Sequence, residues 1–236
     1  METSRIAELL QPFLLAPAGA SPALSAALSA AQLDDISTYI DLLLRWNARI
    51  NLTSVRQPEA IVTRHFGESL FAARHLFPDR VGTGTSRACP ERSPRAQPAS
   101  LIDIGSGAGF PGVPIKLWAP RLHLTLIESN HKKVAFLRQL ARSLTLTDID
   151  IVPGRAEAYA GLFADVVTLR AVERFSSTLP TAARLVAPGG QLALLIGQAQ
   201  TAQATELLPG TTWNAPLPLP LSTTRILLVG RSSQIT

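Results

Sequence analysis

Residues 101–112 read Leu-Ile-Asp-Ile-Gly-Ser-Gly-Ala-Gly-Phe-Pro-Gly, and no other segment of the chain restricts its fold as strongly. An apolar run that ends in Asp103 predicts a strand. The glycines at 105, 107, 109 and 112 then predict a loop whose backbone passes very close to a ligand, an approach only glycine permits. The apolar stretch 114–118 predicts a helix packed back on that strand. Strand, glycine-rich loop and helix together form a nucleotide-type cofactor site.

The rest of the carboxy-terminal part repeats that alternation. Strands are expected at 100–104, 123–128, 149–152, 165–169 and 191–196, and helices at 114–118, 130–144, 176–187 and 200–208. A last strand, 225–230, follows the Pro-rich turn 216–220. Strands separated by helices imply βαβ units and a parallel sheet, hence an α/β, Rossmann-like fold.

Residues 1–80 read as mostly helical. Leu33, Ile36, Ile40, Leu43, Leu44 and Ile50 recur at helical spacing with Asp34, Asp41, Arg45 and Arg49 between them. The Ala/Ser/Pro stretch 16–31 is a loop or short helix, and a further amphipathic run covers 61–76. Residues 82–99 carry no large apolar side chain and read as a flexible insertion. The expected organisation is a helical cap (1–81), the insertion (82–99) and a cofactor-binding domain (100–236).

Composition narrows the class. A chain of 236 residues is long enough for a substantial core. It has no run of 18 apolar residues, so no membrane span is expected, and its amino terminus lacks the pattern of a secretory signal. Cys89 is the only cysteine, which excludes internal disulfides and a cysteine-based zinc site. No metal site is expected, and a cytoplasmic location fits. The net charge is +5, and 12 Lys+Arg face 8 Asp+Glu in residues 101–236, which suits an anionic partner such as RNA. Nineteen of the 22 basic residues are Arg, a bias that base composition alone can produce.

The loop contains a literal G-x-G-x-x-G, Gly107-Ala-Gly-Phe-Pro-Gly112, which by itself suggests NAD. Three features point instead to S-adenosylmethionine. Asp103 stands two residues before Gly105, where a carboxylate can stabilise the glycine loop and receive an ammonium group but repels a pyrophosphate. Phe110-Pro111 occupies the place where a dinucleotide fold needs an open helix start. No downstream segment resembles a separate substrate domain for a hydride acceptor.

Glu128 ends the second strand, where a carboxylate accepts hydrogen bonds from two ribose hydroxyls. Both NAD and S-adenosylmethionine need this, and an acid preceding helix 130–144 is the structural alternative. Gly154-Arg-Ala-Glu157 follows the third strand, where adenine is contacted through backbone N–H and an acidic neighbour; a helix-start turn is the alternative. Arg170 stands at the tip of the fourth strand, among the groups that bind ligands.

These residues resemble the RsmG (GidB) family of bacterial small-subunit ribosomal RNA guanine-N7 methyltransferases. The resemblance rests on Trp46-Asn-Ala-Arg-Ile-Asn-Leu-Thr-Ser54, Arg64-His-Phe with Ser69-Leu70, and 103–112. Further matching segments are Glu128-Ser-Asn-x-Lys-Lys-Val-Ala-Phe-Leu-Arg138, 154–157, Arg170-Ala-Val and the strand at Arg225. It covers roughly 33–230. It implies a class I methyltransferase fold with an amino-terminal helical cap. It implies S-adenosylmethionine held by Gly105, Phe110, Ala156, Glu157 and Arg170, and a guanine in the 530 loop of 16S rRNA as acceptor. The chain departs from the family in Glu68, where an Asp is usual, in Ile196-Gly197, where Lys-Gly is common, and in the long insertion.

Guanine N7 bears a lone pair and no proton, so no general base is needed and no catalytic residue is named. Asn51, His65, Lys132, Lys133, Arg138 and Arg155 are candidate RNA contacts, with Arg142 on the same helix. Each has a structural alternative: a turn residue for Asn51, a satisfied histidine on a packed helix for His65, a solvated face for the cations. The expected partner is small-subunit rRNA or the ribosomal subunit, bound by a monomer. Two other functions remain open at this stage: a nicotinamide-dependent oxidoreductase, and a non-catalytic RNA-binding assembly factor.

Overall fold

The computed structural model describes residues 1–15, 27–78, 99–172 and 174–232. Residues 16–26 of the Ala/Ser/Pro stretch, and the insertion up to residue 98 with Cys89, lie outside the described residues.

Strands β1 (Ser100–Ile104), β2 (His123–Glu128), β3 (Ile149–Pro153), β4 (Ala164–Arg170) and β5 (Val186–Gly197) form a parallel sheet. β8 (Arg225–Ser232) runs antiparallel to β5, and the short β6 (Thr211–Trp213) and β7 (Leu217–Pro218) pair with β8. The order is β3-β2-β1-β4-β5-β8-β6. β1 and β2 are buried on both faces, so they read as continuous apolar runs rather than alternating ones.

Helices cover both faces. α5 (Gly112–Trp118) and α6 (His131–Ser143) make the crossovers between β1, β2 and β3. α7 (Phe175–Arg184) joins β4 to β5, and α8 (Thr201–Leu207) follows β5. One hydrophobic cluster joins α5, α6 and the facing side of the sheet to the amino-terminal helices, and a second fills the α7 and α8 side.

The amino-terminal helices are α1 (Thr3–Leu14), α2 (Ala30–Asn47), α3 (Pro58–Ile61) and α4 (Glu68–Leu76). α2 starts with a capping box, in which Ser29 accepts from Gln32 N–H and Gln32 accepts from Ser29 N–H. The Gln32 amide also donates to Leu117 O on α5 at 2.7 Å. Trp46 Nε1 donates to Gln139 on α6 at 3.0 Å, so α2 lies across both crossover helices.

The strand expectations at 100–104 and 123–128 match β1 and β2. β5 begins five residues earlier than expected, at Val186 instead of 191. The Pro-Gly-Gly at 188–190 hides it: a Cβ on Gly190 would lie 2.7 Å from Asp165 O, so β5 needs glycine to cross the start of β4. α7 accordingly stops at Arg184 rather than 187. The run 61–76 is not one α-helix, because Val62–Gly67 forms a π-helical turn between α3 and α4. Gly67 lets the Phe13 ring lie on that turn, since a Cβ there would stand 2.5 Å from Phe13 Cε2.

Candidate active site

The chain leaves β1 toward β2 and β3 on one side, then returns to place β4 on the other. Ligands bind in open α/β sheets at this reversal, outside the carboxyl ends of the strands. Gly105 and Gly107 stand there with φ of +68° and +57°. A Cβ on Gly107 would meet nothing nearer than Gly105 O at 3.7 Å, so the loop offers bare backbone to a ligand. Glu128, at the tip of β2, accepts from Gly107 N–H at 2.8 Å and from Asn130 N–H at 2.7 Å. A carboxylate has about four acceptor positions, so two remain for a pair of ribose hydroxyls. The helix-start alternative for Glu128 falls away, because Asn130 caps α6 by accepting from Lys132 and Lys133 N–H.

Asp103 corrects one expectation. It is fully buried, accepting from Thr168 Oγ1 at 2.8 Å and from Gly112 N–H at 3.2 Å. It braces the loop as expected, but it presents no surface to an ammonium group. Burial pushes its carboxyl up to about 7, against the hydrogen bonds from Thr168 and Gly112. Its position also decides between cofactors. The start of α5, where a dinucleotide fold seats pyrophosphate, is already filled by this carboxyl group. A pyrophosphate at that helix start would have to displace this bond, which disfavours a dinucleotide.

Phe110 lies beneath the loop, 7% exposed, so what it can offer a ligand is its backbone. Its ring is stacked between Tyr39 (5.1 Å, 6°) and His65 (4.8 Å, 26°), with Phe66 edge-on at 5.1 Å. The Tyr39 hydroxyl donates to the carbonyl of Ala108. Gly109 (φ +93°) makes room for this contact, since a Cβ there would lie 2.6 Å from Tyr39 Oη. The cap thus grips the cofactor loop from below.

Arg170, at the tip of β4, has its Nη2 within hydrogen-bond distance of Arg64 O (2.6 Å), His65 Nδ1 (3.0 Å) and Glu68 Oε2 (3.1 Å), three acceptors sharing the two hydrogens of one nitrogen. Arginine only donates, so His65 Nδ1 accepts, and the imidazole proton sits on Nε2, 2.7 Å from Thr53 Oγ1. Burial first, and then repulsion from Arg170, Arg64 and Arg225, hold His65 down to about 3. His65 is thus neutral and half-buried with both ring nitrogens engaged, the form of the packed-histidine alternative, and its Nδ1 holds Arg170.

Glu68 joins Arg170 to Arg225, whose Nη2 lies 2.6 Å from Glu68 Oε1. The carboxylate is 2% exposed, and burial pushes its pKa up against the pull of the arginines. These groups form one wall of a pocket of about 150 Å³ beside the crevice, with Phe175 and Ile196 on the apolar side. Arg170 lines this pocket, as does Val172, whose Cγ1 lies 3.2 Å from where a Cβ on Gly105 would stand. The absent lysine at 196 thus leaves an apolar wall, and Arg225, paired with Gly197 across β5 and β8, brings a cation beside it.

The other candidates scatter. Ala156 is buried and opens a 3-10 turn past the edge of β3, with Arg155 and Glu157 exposed on either side. Lys132, Arg138 and Arg142 are exposed on α6 and Lys133 is half-buried. Asn51 is exposed, and the turn around it is held by Asn47, which accepts from Leu52 and Thr53 N–H and donates to Thr53 O. Sequence reasoning missed Asn47, Tyr39 and the role of Glu68. An acid set in the apolar run 66–73 was the available sign for Glu68.

A reversed α/β sheet with a bare glycine loop, an acid at the second strand tip and a blocked helix start defines a class I, S-adenosylmethionine-dependent methyltransferase. Residues 32–211 match the GidB family, described as rRNA small subunit methyltransferase G, and the chain belongs to that family. A ribosomal RNA small subunit methyltransferase G of Xanthomonas oryzae pv. oryzae is 36% identical over 183 residues, covering 75% of this chain and 77% of that one. A protein of the same name from Alkaliphilus metalliredigens is 37% identical over 126 residues, covering 53% of this chain and 46% of that one. A methyltransferase structure from Pyrococcus furiosus shares the fold at a TM-score of 0.50, with 16% identity over 57% of this chain and 75% of that one. Family membership favours neither the oxidoreductase nor the non-catalytic reading. Among the described residues no helix is long and apolar enough to cross a membrane.

Proposed function

We propose that this protein methylates N7 of a guanine in the 530 loop of 16S rRNA, using S-adenosylmethionine. The observation that carries the reading is the pairing of two sites at one sheet edge. The glycine loop and Glu128 stand at the carboxyl ends of β1 and β2, and a small pocket at the tips of β4 and β5 adjoins them through Val172, which lines the pocket and lies 3.2 Å from where a Cβ on Gly105 would stand. The resemblance of segments 46–54, 103–112 and 128–138 to the family supports the choice of acceptor. Such an acceptor places the reaction in the cytoplasm.

Glu128 would hold the ribose, the backbone at Gly105 and Gly107 would receive the methionine part, and the turn at Ala156–Glu157 would meet the adenine. When bound, S-adenosylmethionine would supply a methyl group activated by its sulfonium, and N7 would accept it through its lone pair as the methyl–sulfur bond breaks. The new N–C bond uses the N7 lone pair, and the ring takes over the positive charge. No proton moves, so the protein needs no general base. Its contribution is to align the two reactants and exclude water. Arg170 is held through its Nη2 by Arg64 O, His65 and Glu68, which fixes one wall of the pocket.

The test uses S-adenosylmethionine with a labelled methyl group and unmodified small ribosomal subunits, with N7-methylguanine mapped by cleavage at the modified base. One labelled guanine in the 530 loop is expected, and Gly105→Asp abolishes it by filling the bare loop. Absence of label from a protein that binds S-adenosylmethionine would refute the proposal.

A further inference from the structure

The pocket at the tips of β4 and β5 holds more positive charge than its own lining neutralises. Arg64, Arg170 and Arg225 line it, and Glu68 is the only acid there. That acid is sealed beneath the cations. Its side chain is 2% exposed, against 11% for Arg170 and 26% for Arg225, and Arg64 is exposed. What the pocket presents to solvent is therefore cationic. Burial draws the pKa of Arg170 below its ordinary value; Glu68 opposes this, and repulsion from Arg225 and Arg64 adds to it.

Several donors in the lining are fixed in place and still unused. Arg225 is anchored by Nε on Ser222 Oγ at 3.3 Å and by Nη2 on Glu68 at 2.6 Å, which leaves Nη1 without an acceptor among the described residues. The Arg64 side chain makes no hydrogen bond or ion pair among the described residues. Gln200 turns its Oε1 to Gly197 N–H at 3.1 Å, so its amide nitrogen is the end left to donate. Guanidinium forks match the oxygens of a phosphate, and a fork already held by other bonds loses little freedom on binding one. The cavity of about 150 Å³ is smaller than the roughly 300–1,000 Å³ that encloses a whole small molecule, so it takes a group rather than a nucleotide. Through Val172 it adjoins the glycine loop, where the acceptor base must arrive, and backbone phosphates are the anions that arrive with that base.

We propose that this pocket is a phosphate subsite, in which Arg64, Arg225 and the Gln200 amide hold one backbone phosphate of the acceptor strand. This deepens the reading of the protein as an rRNA methyltransferase and rests on it.

The full-length protein, saturated with S-adenosylhomocysteine, is titrated with a fluorescent single-stranded hexaribonucleotide by anisotropy, and with inorganic phosphate by phosphorus NMR line width. Arg64→Gln and Arg225→Gln should each weaken hexamer binding roughly tenfold, the loss of a hydrogen bond between charged groups. Arg121→Gln removes an exposed cation at the far end of β2 from the loop and should change nothing. Because one phosphate is held, the slope of log affinity against log salt should fall by about 0.7 in the variant carrying both Arg64→Gln and Arg225→Gln. A fall of about 1.4 means two separate phosphate contacts, and an unchanged slope means none; either overturns the proposal. Arg225 also supports Glu68, whereas the Arg64 side chain supports no contact in the described fold. Wild-type affinity in Arg64→Gln therefore overturns the proposal even if Arg225→Gln fails to fold. Inorganic phosphate that binds the wild type while the hexamer ignores both variants makes this a site for a free anion, and overturns its assignment to a strand. Failure to methylate small subunits is a separate outcome, which refutes the proposed reaction whatever the hexamer shows.

Discussion

Two buried titratable side chains pull the stability of this site in opposite directions as pH changes. Asp103 has a raised folded-state pKa, about 7 against 3.8. Its contribution is complete below the unfolded value and is lost as pH rises through 7. His65 has a depressed one, about 3 against 6.5, so its contribution is present above 6.5 and is lost as pH falls. Between about pH 4 and 6.5 the two slopes oppose each other, each at up to about 1.4 kcal/mol per pH unit. Asp103→Asn removes one side. Urea unfolding at pH 4.5, 5.5 and 6.5 should show the variant losing stability toward acid relative to wild type, by about 1 kcal/mol per unit. Parallel profiles would mean that Asp103 is not titrating as its burial implies. At the same scale, Glu128→Ala orphans Gly107 and Asn130 N–H and removes the ribose acceptors. Calorimetry should find S-adenosylmethionine binding weakened roughly a hundredfold.

Among elements, the aromatic stack of Tyr39, Phe110 and His65 is what couples α2 and the π-helical turn to the loop after β1. Phe110→Ala should cost about 3–5 kcal/mol in thermal unfolding and loosen the cofactor loop, so affinity for S-adenosylmethionine falls as well. Tyr39→Phe keeps the ring and loses only the bond to Ala108, about 1 kcal/mol. If both variants cost the same, the hydroxyl rather than the stack is the coupling. This coupling was not legible in the sequence, and the reason is physical. Strands β1 and β2 announce themselves because their apolar runs end at glycines or an acid. The grip of Tyr39 on Ala108 joins residues 69 apart and leaves no periodic trace. The π turn looks like ordinary amphipathic helix, because its residues keep helical spacing to within one position. The glycine loop, Glu128 and Arg170 could be read because a strand tip is where ligand groups collect. Asp103 was half legible: its spacing revealed a brace, and only burial revealed that it faces inward.

At the scale of the whole molecule, the crevice opens beside the start of α6, whose Lys132, Arg138 and Arg142 are exposed. If this face carries RNA, each phosphate contact steepens the salt dependence of binding. Replacing Lys132 and Lys133 together by Ala should reduce the slope of log affinity against log salt by about 1.5 for binding to small subunits. An unchanged slope would return these cations to the role of a solvated helix face.

The way α2 and α4 lie across the sheet also sets a schedule. Their partners come later in the chain: Ala108 for Tyr39, Leu117 for Gln32, Trp118 for Phe77 and Gln139 for Trp46. During translation α1 and Phe66 can pack on α2 early, but the part of its apolar stripe that meets α5 and α6 stays uncovered until residue 139 has been made, an interval on the order of 5–20 s. For that time the nascent chain is a client for whatever shields greasy helices at the exit tunnel. The grip that later fixes the cofactor loop makes the first-made third of the protein wait for the second.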